Sequence, residues 1–233
     1  MTSGRSETSM IEFDVNLTCN NCALKVENVL TKLKGVDSFS IDVEKQSVVV
    51  ETAVPSQIIK EAIQSTGKIA VLKGLGASKL GSAVAEFRSQ NILGVIRFHQ
   101  LNQDVCIIDG TVDGLSPREY EINIHEFGDL SDEYNNIGSV FNPVKGQQNE
   151  IPEKNKRHYG NLKKIEANSD GRASFHFEDP VIKVWDIIGR SIVISSEDSK
   201  LVCAVIARSS GLFENPKRLC QCDGVSIWDE RKK

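Results

Sequence analysis

The sequence predicts a multi-domain chain, α+β in its first third and all-β thereafter, ending in a mostly unstructured tail. Three observations carry this reading. Residues 10–74 alternate strand-like and helix-like runs, the apolar period switching from 2 to 3.6 and back. Residues 83–209 hold strand-like runs between loops rich in Gly, Asp and Pro. Residues 210–233 have neither a helical period nor enough apolar residues to fold alone.

Residues 1–9 are polar and lack the apolar stretch of a secretory signal, which predicts a disordered N-terminus. "MIEFDVN" alternates apolar and polar residues, as a half-buried strand does. "CALKVENVLTKLKG" puts Ala23, Val26, Val29, Leu30 and Leu33 on one helical face, with Gly35 as the stop signal. "SFSIDVEKQSVVVET" reads as two strands joined by a tight turn near residues 44–46. "PSQIIKEAIQSTG" opens on Pro55, closes on Gly67 and carries Ile58, Ile59, Ala62 and Ile63 as its buried stripe. "KIAVLKG" is a last short strand. The order β-α-β-β-α-β makes residues 10–74 a ferredoxin-like split βαβ domain. The small residues of "GLGASKLG" predict a linker over 75–82. Beyond it, "AVAEFRS", "GVIRFHQ", "VCIIDGTVDGL", "REYEINIHEFGD", "RASFHFED", "RSIVIS" and "LVCAVIAR" are the strands of an antiparallel sandwich or barrel over 83–209. The polar stretch between residues 140 and 171 is too long for a hairpin loop, a length usually tied to function.

With 39% hydrophobic and 26% charged residues, the composition is that of a soluble globular protein. A net charge of −4 offers no broad basic surface, so nucleic acid is not an expected partner. No apolar run approaches the roughly 20 residues of a membrane-spanning helix, so no membrane partner is expected either. Six cysteines among 233 residues are too few for a secreted disulfide scaffold. Paired cysteines in a reducing compartment point to metal or redox chemistry, and the expected location is cytoplasmic.

Cys19 falls in the loop after the first strand and Cys22 at the start of the helix, where unsatisfied N–H groups and the helix dipole favour thiolate. Two thiolates three residues apart can converge on one ion, and soft sulfur selects Cu(I) or Zn(II). A two-sulfur site suits Cu(I) better than zinc, which takes four ligands. A packed cysteine pair and a thioredoxin-type redox pair are the alternatives; the second lacks that motif's strand order and its aromatic or Pro-Gly surroundings. Cys220 and Cys222 form a second pair in "RLCQCDG". In an extended segment residues i and i+2 project to one side, so both sulfurs can face one ion or one target thiol. A disulfide between such near neighbours is strained and reactive rather than structural.

"LTCNNC", opening the first helix of a β-α-β-β-α-β domain, resembles the heavy-metal-associated domains of copper chaperones, whose signature is Met-x-Cys-x-x-Cys. Leu17 stands at the methionine, a packing position in that family, and Lys68 matches the lysine that eukaryotic members place near the metal. The resemblance implies Cu(I) at Cys19 and Cys22 with Lys68 beside it.

"NIHEFGD" (123–129), "FNP" (141–143), "DGRASF" (170–175), "IIGRSIVI" (187–194) and "LVCAVIA" (201–207) look like Cu,Zn superoxide dismutase, in the right order and at near-matching spacing. That resemblance implies a Greek-key β-barrel whose metal ligands are largely gone. Asn123-Ile124-His125 stands at the family's paired histidines, and Val140 at its bridging histidine. A residue near Gln148 stands at the next zinc histidine, and His158-Tyr159-Gly160-Asn161 at the His-x-Gly-Asp element. Ser195 replaces the final copper histidine and Lys200 the active-site arginine. Only His125 and His158 survive, so neither dismutase activity nor a zinc site is expected in this domain. His99 and His176 lie outside these motifs, as surface or packing residues. Cys203 matches one cysteine of the dismutase disulfide, whose partner position falls near Tyr134; Cys203 and Cys106 are expected as buried thiols. "WDIIGRSIVI" and "VIARSSG" match the region of the dismutase dimer interface and offer Trp185, Arg190 and Arg208 as anchors of a two-fold partner surface. Core packing and ordinary surface charge are the plainer roles for the same residues.

The CxxC head, the ligand-poor dismutase-like domain and the CxC tail together resemble, over the whole chain and in a fungal-looking form, the copper chaperones of superoxide dismutase. This implies a protein that is not an enzyme. It docks on newly made dismutase as a heterodimer, with a homodimer as the resting alternative, and passes Cu(I) by ligand exchange between cysteines. The tail pair Cys220 and Cys222 joins in metal binding and promotes the target's disulfide through a mixed disulfide. The resemblance adds the mitochondrial intermembrane space to the cytoplasm as a location. A dismutase with a fused copper-binding head and a thiol–disulfide oxidoreductase using the CxxC are the rival readings.

Overall fold

The structure is a computed structural model and describes residues 8–76, 80–89, 91–132, 134–143, 157–196 and 199–214. The disordered segment expected at the N-terminus, Gln148 and the tail cysteines Cys220 and Cys222 lie outside these residues, apart from residues 8 and 9. Contacts divide the chain into two units, residues 1–77 together with 210–233, and residues 78–209.

The first unit runs β1 (Ser9–Val15), α1 (Asn20–Lys32), β2 (Val36–Asp42), β3 (Ser47–Thr52), α2 (Ser56–Gln64) and β4 (Ala70–Leu75), the order read from the sequence. Its sheet has the order β2-β3-β1-β4. Side chains alternate across a strand, so Ile11, Phe13 and Val15 of β1 point to one face. There they share a core with Val26, Leu30, Ile59 and Ile63 of the two helices, all seven fully buried. One expectation fails: Ile58, placed in the buried stripe of α2, is 37% exposed. Ile59 and Ile63, four residues apart, define the inward face, and Ser56 completes it one turn earlier. The linker is also shorter than 75–82, because β4 extends through Leu75 and the next strand starts at Ser82.

The second unit continues with β5 (Ser82–Arg88), β6 (Leu93–Gln100), β7 (Cys106–Asp113), β8 (Glu119–His125), β9 (Ile165–Glu166), β10 (Arg172–Asp179), α3 (Val184–Ile187), β11 (Ser191–Ser196), β12 (Ser199–Val205) and β13 (Ala207–Ser209). Two antiparallel sheets, β10-β7-β6-β5-β13 and β12-β11-β8-β9, enclose a core that includes Phe98, Ile108, Ile122, Ile124, Ile192 and Ile194. After the β5-β6-β7 meander the chain crosses to the other sheet for β8 and returns as β10 beside β7, a Greek-key connection. The run "LVCAVIAR" is not one strand. It breaks at Ile206, whose N–H donates to Arg190 O at 2.8 Å.

Both histidines outside the metal motifs are packing residues. His99 is fully buried, and burial pushes its imidazole down to about 4, so it is neutral at physiological pH. His176 Nδ1 meets Asp109 Oδ2 at 3.2 Å with both side chains buried. Burial first, and then the Asp179 charge, push the Cys106 thiol pKa up. Cys203 is half-buried, not buried as expected, because it lies on β12 away from the core-facing Val202 and Ala204. No two cysteines among the described residues are disulfide-bonded. No helix among them is long and apolar enough to cross a membrane.

Candidate metal centre

The cysteine pair sits where β1 runs into α1. Cys19 occupies the residue just before the helix in extended conformation (φ −167°, ψ 169°), and its side chain makes no capping bond. Its carbonyl accepts from Cys22 N (3.0 Å) and Ala23 N (3.3 Å), which turns the chain through the first helical turn. That turn brings Cys19 Sγ to 3.3 Å from Cys22 Sγ. This is too long for a disulfide, and two metal–sulfur bonds of roughly 2.3 Å can bridge it around one ion. Beneath the loop, Leu17 is 2% exposed, filling the packing position expected of it. The loop is tied down from outside: Val15 N donates to Gln46 O (2.7 Å), Gln46 Nε2 to Leu17 O (3.4 Å) and Asn16 N to Ile69 O (3.2 Å).

The two sulfurs differ. Cys19 is exposed, whereas Cys22 is only 8% exposed. The Cys22 thiol is held down to about 6 from an ordinary 9, first by the Thr18 hydroxyl 3.4 Å away, then by Lys68, then by Cys19. Hydrogen bonds to sulfur stabilise the thiolate, the form that binds soft metal. Lys68 precedes β4, and its side chain lies within hydrogen-bonding reach of the Cys22 sulfur. Thr18 was passed over in the sequence, although it stands inside the motif itself.

In the second unit, the positions matched to dismutase ligands do come together. Asn123 and His125 on β8 bridge to Asn161 and Val140 respectively. His125 is 6% exposed, and its Nδ1 lies 2.9 Å from Gly138 O. His158 is exposed. Ser195 lies on β11 opposite Glu121, one same-face position along β8 from Asn123. Lys200 is on β12. Backbone bonds of 2.8 Å close the junction: Ile124 N to Gly160 O, Gly160 N to Phe141 O and Phe141 N to Ile124 O. A Cβ at Gly160 would lie 2.4 Å from Ile124 O, so the approach needs glycine. Among the described residues no group of three or more His, Cys, Asp or Glu is placed to hold a metal ion.

The expected partner surface divides in two. Trp185 is 47% exposed and Arg208 is exposed. Arg190 is an internal brace. Its guanidinium lies 3.5 Å from the Phe141 ring centroid and donates at 2.6 Å to Glu126 O and Asp186 O. Beside it, a groove of about 350 Å³ is lined by Glu126, Phe127, Phe141, Pro143, Asp186 and Arg190. Phe127 is 55% exposed and Val205 38%. Both belong to motifs quoted for the dismutase likeness, yet neither was singled out as an anchor.

Fold and site define a class: a heavy-metal-associated domain joined to a dismutase-like domain. Residues 12–68 match the heavy-metal-associated domain family, and residues 92–211 match the copper/zinc superoxide dismutase family. A Sus scrofa protein named copper chaperone for superoxide dismutase is 41% identical over 98% of this chain and 91% of its own length. Its Mus musculus namesake is 42% identical over 95% and 88%. A Debaryomyces hansenii protein named superoxide dismutase 1 copper chaperone is 31% identical over 96% and 94%. The chain belongs to the family of copper chaperones for superoxide dismutase.

Proposed function

We propose that this protein binds Cu(I) through Cys19 and Cys22 and delivers it to newly made superoxide dismutase. The observation that carries the reading is the pairing of two sulfurs 3.3 Å apart with a Cys22 thiol lowered to about 6. The second unit serves as a docking surface through Trp185, Arg208, Phe127 and Val205, with Arg190 holding the groove beside them. It forms a heterodimer with the target and holds neither zinc nor copper of its own. Entering as a disulfide, Cys220 and Cys222 form a mixed disulfide with one target thiolate. The second target thiolate displaces the tail, leaving the target oxidised and the tail pair reduced, with oxygen as the final oxidant. At transfer either cysteine pair can carry the metal. A homodimer is the resting alternative for the same face, and the protein works in the cytoplasm and the mitochondrial intermembrane space.

The test is to mix the Cu(I)-loaded protein with copper-free, disulfide-reduced dismutase in oxygen and follow target activity. Activation is expected. Its absence sinks the proposal, as does activation unchanged when Cys19 and Cys22 are both replaced by serine. A lowered thiol at Cys22 also suits a thiol–disulfide oxidoreductase. Metal-free turnover of a disulfide substrate that depends on Cys22 favours that reading instead.

A further inference from the structure

Among the described residues, both helices of the first unit pack on one face of its sheet. On the other, β1 presents Met10, Glu12 and Asp14, and β4 contributes Gly74, which pairs with Glu12. An antiparallel sheet commonly leaves such a face to solvent. Here Glu12 is 4% exposed, and Gly74 is buried.

Residues 211–214 lie against this face. Phe213 N donates to Glu12 Oε2 at 3.1 Å, while Glu12 Oε1 stands 3.4 Å from Lys73 Nζ. One carboxylate therefore joins a lysine of β4 to the backbone of the C-terminal segment. A Cβ on Gly74 would come within 2.7 Å of Gly211 O and 3.1 Å of Leu212 Cα, so the two backbones meet over a glycine because no side chain fits between them. The segment is itself folded into a turn: Gly211 N donates to Glu214 Oε2 (2.8 Å) and Glu214 N to Gly211 O (3.3 Å). Phe213 adopts φ +60°, a left-handed conformation that a bulky residue keeps only where its surroundings impose it. Its ring is 66% exposed, so it is the backbone of Phe213 that is held.

We propose that residues 211–214 are a strap that latches the root of the C-terminal tail to the metal-binding domain, with Glu12 as the latch and Gly74 as its seat. The tail then starts from the head that carries Cys19 and Cys22, although in sequence it follows the dismutase-like domain. Phe213 precedes Cys220 by seven residues, and Glu12 precedes Cys19 by the same number. From that anchor Cys220 lies at most roughly 25 Å away along the chain, while Cys19 sits fixed in the loop that β1 leads into. For cysteines that exchange a metal ion, a shared anchor raises the effective concentration of one pair around the other. This consequence rests on the function proposed above; the latch does not.

The latch is tested without metal by hydrogen exchange of the full chain, read by mass spectrometry on a peptide covering residues 211–214. Two variants act from opposite directions. Glu12→Ala removes the acceptor, and Gly74→Val fills the seat with a residue that suits a strand. Protection of the peptide in the unaltered chain, with exchange faster by on the order of 10-fold in either variant and unchanged in peptides of α1, supports the strap. The proposal is overturned if the peptide exchanges as freely in the unaltered chain as in the variants. It is equally overturned if Glu12→Ala leaves protection intact. Should Gly74→Val perturb α1, the Glu12→Ala comparison decides alone. Copper delivery is measured separately, so a protected strap with no delivery, or delivery with an unprotected strap, shows which proposal has failed.

Discussion

The loop at Cys19 and Cys22 and the junction of Asn123, His125, Val140 and Asn161 differ in the side chains they bring together. Each lies where strand meets loop, and each is held by backbone hydrogen bonds from neighbouring segments. In the head the donors are present and conditioned, with Thr18 and Lys68 lowering the thiol that is least exposed. In the dismutase-like unit the scaffold stands but the donors are an amide, a valine and a second amide around one histidine. Donor chemistry and the architecture beneath it are therefore separable. The bonds among Ile124, Phe141 and Gly160 use no side chain, so ligands can be exchanged above them without loss of the fold.

The comparison breaks most sharply at the sulfurs. Replacing Cys19 and Cys22 by serine should cost the head more Cu(I) affinity than the roughly 10–100-fold that outer partners of a metal site supply, as read by competition with a Cu(I) chelator. Replacing Lys68 by alanine should fall within that range in the same titration. The opposite manipulation adds donors to the junction: Asn123→His, Val140→His and Asn161→Asp together, beside the native His125, should raise metal uptake by the second unit above that of the unaltered chain. Elemental analysis after dialysis, with both head cysteines absent, reads this directly.

Two smaller effects sharpen the contrast. Arg190→Ala removes two charged hydrogen bonds and a cation–π contact, and should lower the stability of the second unit by about 3 kcal/mol in thermal or denaturant unfolding. Arg208→Ala, on the exposed surface, should stay within about 0.5 kcal/mol while weakening docking. Thiolate absorbance should titrate with a midpoint near pH 6 and lose that component in Cys22→Ser. The folded thiol lies below its unfolded value of about 9, so its contribution to stability is complete above that pH and is lost as pH falls through about 6.

The helix and strand order of the head was legible because its apolar period changes at each boundary. Ile58 was misread because four apolar residues at 58, 59, 62 and 63 make a stripe wider than the face that is buried. β9 has two residues, too few to show any period. At the candidate metal centre the two sulfurs could be read from spacing, but the place of Lys68 came only through a family likeness, since it is distant in sequence. Arg190 was read as an outward anchor because its acceptors, Glu126 O and Asp186 O, are backbone carbonyls, which no residue identity announces. The strap was invisible for the same reason: it is backbone meeting backbone at Gly74 and Gly211.

That strap has a consequence for the order of events as the chain is made. Its residues follow the entire second unit in sequence yet belong to the first. Before the barrel exists, joining them to β4 closes a loop of some 135 residues, an entropic penalty of about 4 kcal/mol. Once β5 and β13 have paired, Ser82 and Ser209 are neighbours and the open loop shrinks to a few residues on either side. The penalty then falls to about 2 kcal/mol. A fastened strap is thus a sign that the barrel has closed, and a chain with an unfinished barrel leaves Glu12 with Lys73 but without its backbone donor.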